Sequence, residues 1–330
     1  MTDTALVIGG TRFIGRHTVT NLLDNGYRVT TLTRGTHENP FADDDRVTHV
    51  EGNRTNDRDL KTAKLSADPD IVIDCVAYHP ADVEAATDLF ADVDGYVYVS
   101  SGSAYAADHL PKREGETPLE SCSPEQATDD SQATYGNRKA EGDRAVFDAA
   151  ADGVAAMAVR PCVVYGPHDY TERLDYWIDR VLTHDRVVVP GDGDLIWHRG
   201  YVEDVARALR IVAERGEPGA AYNVGDRRAL TLAEMVETIA EAAGVDCAVV
   251  PADADALAAG GLEPGDFPLY REYPHLLDTC ALAALGWEST PVEDAMARTV
   301  ADHRDADRDG SEHDPGRDAE ERVLGVKETL

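Results

Sequence analysis

Short apolar runs recur through the first half of the chain, each ending in small or polar residues. ALVIGG (residues 5–10) closes on two glycines, and RHTVTNLLDNGYRV follows with Val19, Leu22 and Leu23 at helical spacing before Gly26. YRVTTLTR then reads as a second strand. VTHVEGN, DIVIDCVAY, GYVYVSS and VAAMAVRPCVVYGP continue the series, with polar helical stretches between them. Near-continuous apolar strands alternating with helices predict a parallel sheet covered on both faces.

The pattern changes from Asp169 onward to mixed short elements. YVEDVARALRIVAERG (201–216) reads as a helix that packs back on the first domain. TLAEMVETIAEAAG (231–244) opens with Thr231 and has Glu234 three residues on, a capping box, and closes at Gly244. Residues 301–330 begin too polar to bury a core and are expected to form an acidic tail, mobile to about Gly316. The predicted organisation is a nucleotide-binding domain over 1–168, with 201–225 packed on it, and a smaller lobe from 169–200 and 226–300.

Charge alters this picture more than length does. With 63 acidic against 31 basic residues, the 330-residue chain carries a net charge of −32. The carboxylates are spread over ADDD, ADVDG, PADADA and DHRDADRDG and are not confined to one end. Such a surface repels itself unless salt screens it, which predicts a high-salt-adapted protein. It also argues against a strong nucleic-acid role, since phosphate binding needs local positive charge. The five cysteines show neither CxxC pairing nor metal-ligand spacing, so no metal site and a reducing compartment are expected. No apolar run approaches the roughly 20 residues of a membrane span, and the sequence predicts a soluble, cytoplasmic protein.

The candidate chemistry lies in ATYGNRKAEGDRAVFDAA. Tyr135 and Lys139 stand four apart on a predicted helix, which puts phenol and ammonium on one face. A neighbouring ammonium favours the phenolate and makes the tyrosine a usable proton donor and acceptor near neutral pH. Upstream, YVYVSSGSAYA ends a strand in serines at the carboxyl edge of the sheet, where open α/β folds bind ligands. Ser101 there is a candidate to hold a substrate oxygen for Tyr135. The competing reading is that Ser100, Ser101 and Ser103 only shape a turn.

GGTRFIG, VSSGSAY, YGNRK, RPCVVYGP, YVEDVA and YNVGD follow in one order over about two thirds of the chain. The succession resembles the extended short-chain dehydrogenase/reductase superfamily, the NAD-dependent epimerase/dehydratase family. That resemblance implies an α/β, Rossmann-type doubly wound parallel sheet with a smaller C-terminal α/β substrate lobe, and a nicotinamide cofactor. It also implies a catalytic set of Ser101, Tyr135 and Lys139, with the tyrosine exchanging a proton with a sugar or nucleotide-sugar hydroxyl. By the same correspondence Gly9, Thr11, Phe13 and Ile14 border the pyrophosphate and Asn53 and Arg54 lie near the adenine. Ala77 falls on the cofactor's inner edge, Pro161 and Val163 lie beside the nicotinamide, and Lys139 holds the ribose. Many relatives form homodimers.

An arginine, Arg12, stands where the glycine-rich turn usually keeps its middle glycine, and TLTRG ends the second strand in Thr33 and Arg34 in place of an acidic residue. Two guanidinium forks converging on a 2′-phosphate predict NADP(H), with NAD(H) as the other possibility. The competing reading has Arg12 covering the adenine and Arg34 solvated. Val163 replaces the asparagine of RxxNVYGP, and Trp197 and Arg199 replace the usual pattern before YVED. Arg173, Arg199 and Arg271, with Ser103, are candidates for an anionic substrate, and His79 for facing the cleft. The GGTRFIGR wording is closest to a branch that includes chloroplast stem-loop RNA-binding proteins, so an RNA-associated or regulatory protein with little turnover is the alternative.

Overall fold

The structure, a computed structural model, describes residues 3–106, 109–268 and 270–328; residues 1–2 and 329–330, which the predicted domain and tail include, lie outside it. Six strands form in order: β1 (Thr4–Ile8), β2 (Arg28–Thr33), β3 (Val47–Glu51), β4 (Ile71–Asp74), β5 (Gly95–Val99) and β6 (Ala156–Pro161). Short strands β7 (Val163–Tyr165), β8 (Arg186–Pro190), β9 (Ile196–Trp197) and β10 (Arg199–Tyr201) precede β11 (Ala221–Val224). The seven-stranded sheet runs β11-β6-β5-β4-β1-β2-β3, and every pair in it is parallel.

Every residue of β4, β5 and β6 is buried, because helices cover both faces. The edge strand β3 leaves Thr48, His49 and Glu51 exposed. The covering helices are α1 (Phe13–Asp24), α2 (Asp57–Ala67), α3 (Pro80–Leu89), α5 (Tyr135–Ala151), which the single turn α4 (Pro124–Ala127) precedes, and, after α6 (Arg173–Thr183), α7 (Val202–Arg215). This is the doubly wound Rossmann-type order, in which direction reverses between β1 and β4 and ligands bind beyond the strand carboxyl ends.

The chain divides into two compact units, the first holding Met1–Val164, Gly200–Gly225 and Leu277–Ser289. By sequence position the last of these segments falls in the predicted smaller lobe. It joins the sheet domain because Asp278 N donates to Lys112 O at 2.8 Å and the Asp278 carboxylate accepts Arg113 Nε at 2.9 Å.

The second unit holds α6, the two-residue β12 (Leu230–Thr231), α8 (Leu232–Ala243), α9 (Ala254–Gly260), α11 (Val292–Asp305) and α12 (Arg317–Lys327), with β8 paired in parallel to β13 (Ala248–Ala252). The short α10 (Cys280–Ala284) lies in the first unit. The predicted capping box forms: Thr231 Oγ1 accepts Glu234 N at 3.1 Å and the Glu234 carboxylate accepts Thr231 N at 2.8 Å.

Residues 301–330, expected as an acidic tail mobile to about Gly316, carry regular helix at both ends. α11 continues to Asp305, and α12 buries Ala319, Val323 and Leu324 on one face. Glu320, fully buried, accepts Arg180 Nε at 2.9 Å and the Tyr176 hydroxyl at 3.1 Å. A charged residue that completes a buried ion pair reads as solvent-facing in sequence. Among the described residues no helix is long and apolar enough to cross a membrane.

Candidate active site

The turn after β1 is built on two glycines. Gly9 has φ +91°, and a Cβ there would meet Val76 Cγ1 at 2.6 Å; one on Gly15 would meet Gly9 O at 2.0 Å. Both positions are glycine because the chain closes on itself there. The middle slot is different: Arg12 has an extended backbone (φ −126°, ψ 152°) that any residue adopts, and its side chain is exposed. Its Nη1 donates to His37 Nε2 at 3.2 Å. Phe13, buried, opens α1 at φ +28°, a strained conformation held by its surroundings. The N-terminus of α1 has no side-chain cap and no acidic residue in its first turn, which leaves its positive end suited to an anion.

Tyr135 is the first residue of α5, half-buried, and Lys139 follows one turn on with 2% exposure. Lys139 Nζ donates to Ala77 O at 2.8 Å and Val99 O at 2.9 Å. Three phenol rings surround that ammonium: Tyr98 at 4.7 Å, Tyr78 at 5.3 Å and Tyr135 at 5.8 Å from Nζ to centroid. Burial lowers its pKa to about 8, against the pull of Asp74 and Asp143. At neutral pH it therefore carries charge, which favours the phenolate of a nearby tyrosine.

The serine turn reaches the same helix. Gly136, beside Tyr135, has Ser103 O at 2.4 Å from where a Cβ would stand, so glycine lets the turn at Gly102–Ala104 lie on α5. Ser101 Oγ accepts Ser103 N at 3.1 Å. That bond uses an acceptor lone pair and leaves the hydroxyl proton for another partner.

The remaining sequence candidates separate. Ala77 is fully buried at the lysine, Pro161 is buried at the end of β6, and Val163, Thr11 and Ile14 are half-buried. Asn53 is exposed and caps a turn, its Oδ1 accepting Thr55 N at 3.1 Å. Arg34 is exposed just past β2. The Arg54 guanidinium is turned inward and pairs with Asp74 and Asp82. His79 ties loops together through Ala127 O (3.0 Å) and Asp130 (3.0 Å).

In the second unit Arg199 is buried against the Trp197 ring, 5.3 Å from its centroid, and donates to Met235 Sδ at 2.6 Å. Arg173 donates to Thr171 Oγ1 at 3.0 Å, and Arg271 is exposed.

Sequence reasoning missed the pair beneath the site. Arg160 (2% exposed) donates from Nε to Asp143 (0%) at 2.8 Å and from Nη1 to the Tyr105 hydroxyl at 2.8 Å, which donates to Asn223 Oδ1 at 2.9 Å. Asp143 stands four residues after Lys139, so the helical spacing that joined Tyr135 to Lys139 also reached it.

The chain belongs to the NAD dependent epimerase/dehydratase family, whose model matches residues 5–225. A nicotinamide cofactor goes with that family. The low-salt glycan biosynthesis protein Agl12 of Haloferax volcanii is 30% identical over 268 residues, 72% of this chain and 82% of that protein. The chloroplast stem-loop binding protein of 41 kDa b of Arabidopsis thaliana is 27% identical over 72% of this chain, a match that spans only 63% of the chloroplast protein. Among solved structures, the dTDP-glucose 4,6-dehydratase of Bacillus anthracis in complex with NAD superposes with a TM-score of 0.72 at 20% identity, covering 92% of this chain and 97% of that one. The UDP-glucose 4-epimerase of Thermotoga maritima with UDP-glucose gives 0.70 at 22%, covering 91% and 98%. These two structural likenesses concern the fold.

Proposed function

We propose that this chain is an NADP(H)-preferring epimerase, dehydratase or reductase acting on a hydroxyl of a nucleotide sugar. The observation that carries the reading is the Lys139 ammonium, buried among phenol rings one turn from Tyr135 and next to the serine turn. The residues around β1 suit a dinucleotide: Gly9 and Gly15 present no Cβ where the turn closes on itself, and the α1 N-terminus, without a side-chain cap, suits a pyrophosphate. Gly9, Thr11, Phe13 and Ile14 would hold that group, Asn53 the adenine edge, and Ala77, Pro161 and Val163 the inner edge.

Bound there, the nicotinamide supplies reversible hydride transfer at a sugar carbon. Tyr135 Oη takes the hydroxyl proton as that carbon is oxidised and returns it on reduction. Lys139 keeps the phenolate form accessible through its charge, and the Ser101 hydroxyl donates to the substrate oxygen and fixes its direction.

Arg12 and Arg34 support the NADP(H) preference, since a charge-assisted hydrogen bond contributes about 1.5–3 kcal/mol, roughly ten- to a hundredfold in affinity. The test is to titrate NADP(H) and NAD(H) into wild type and Arg34→Ala, then incubate with dTDP- and UDP-hexoses in molar potassium chloride and analyse the sugars. Tighter NADP(H) binding that Arg34→Ala weakens about tenfold, with turnover of at least one nucleotide sugar, is the expected result. Equal affinities unmoved by the substitution contradict the cofactor preference. Absence of turnover with every sugar, together with RNA retained at that salt, contradicts the enzymatic reading.

A further inference from the structure

Arg54 sits in EGNRTND, a polar stretch between β3 and α2, yet its side chain is 7% exposed. Nη2 pairs with Asp74 at the end of β4 and donates to Asp82 O at 2.9 Å, and Nη1 lies 3.0 Å from Asp82 Oδ1 in the first turn of α3. Asp74 is fully buried and also accepts the Tyr96 hydroxyl at 3.3 Å.

Both carboxylates spend their other bonds on the loop between β4 and α3. Asp74 Oδ1 accepts Val76 N at 3.2 Å, and Asp82 Oδ2 accepts Tyr78 N at 3.0 Å and His79 N at 3.1 Å. Arg138 donates to Tyr78 O at 3.2 Å from the other side. Three parts of the site hang on this loop: Val76 packs where Gly9 lacks a Cβ, the Ala77 carbonyl accepts Lys139 Nζ, and the Tyr78 ring flanks that ammonium.

We propose that Arg54 is a positioning residue: its two-armed tie on Asp74 and Asp82 fixes the loop whose Ala77 carbonyl holds Lys139. A planar fork joins two carboxylates and a carbonyl at once, which a single ammonium does not. The inference rests on the reading of Lys139 as part of the chemistry, but its test needs no turnover. Among the described residues, the charged and titratable groups around Lys139 include Asp74 from β4, Cys75 and Tyr78 from the loop, Asp82 from α3, Tyr98 from β5, and Arg138, Asp143 and Tyr135 from α5.

The chain has five lysines, so full-length protein labelled with ¹³C-lysine gives few ε-carbon resonances, and Lys139→Arg assigns the one of interest. In wild type that resonance is expected to titrate at about 8. In Arg54→Met the freed loop admits water and leaves Asp74 and Asp82 without their cation. Both changes favour the ammonium, so the midpoint moves up by about one pH unit or more. Arg54→Lys, which keeps the charge but not the fork, moves it the same way by less, and it decides alone should Arg54→Met not fold. Folded variants whose Lys139 titrates where wild type does overturn the proposal, whether or not any nucleotide sugar is turned over.

Discussion

Tyr135→Phe lowers turnover by roughly 10²- to 10⁴-fold and leaves dinucleotide affinity within about twofold, because it removes the acid/base proton and no binding contact of comparable size. The ring at position 135 lies 5.8 Å from Lys139 Nζ, and phenylalanine keeps that ring. The lysine's two carbonyl bonds come from Ala77 and Val99 and do not depend on the phenol oxygen. Steady-state kinetics with a nucleotide sugar, beside a fluorescence titration of the reduced cofactor, separate the two effects. An equal loss in both would mean that the phenol binds and does not transfer protons. A fully active variant would remove Tyr135 from the chemistry.

Arg160→Met is expected to cost about 3–5 kcal/mol of folding stability, on the order of 10 °C in the unfolding midpoint. The substitution strands Asp143, which has no exposed surface and whose carboxyl burial already drives upward in pKa against the pull of Arg160. It also takes a donor from the Tyr105 hydroxyl. Removing both charges in Arg160→Met/Asp143→Leu restores a large part of the loss, since the penalty lies in the unpaired ion. Calorimetry on the three proteins checks this. A single substitution that costs less than about 1 kcal/mol would show the pair to be solvated.

Several elements announce themselves in the sequence for a shared reason. β4, β5 and β6 are buried on both faces, so their residues form unbroken apolar runs, and α8 carries its start signal in Thr231 and Glu234. Tyr135 and Lys139 were legible because both lie on one helix, where spacing fixes geometry. Arg54 was not, since its partners lie 20 and 28 residues further on and nothing local marks an inward turn. Glu320 hides in the same way in a stretch of charged residues, its partner Arg180 lying 140 residues away. Buried ions are the common factor: their types signal surface, and only the fold brings the counter-charges together.

Crystals of the full chain grown with NADP⁺ at high salt would test the central claim directly. The account requires the nicotinamide ribose within hydrogen-bonding distance of Lys139 and the Tyr135 hydroxyl opening onto the reactive face of the ring. A dinucleotide bound elsewhere, or a phenol and ammonium with no room for a nicotinamide beside them, would contradict it.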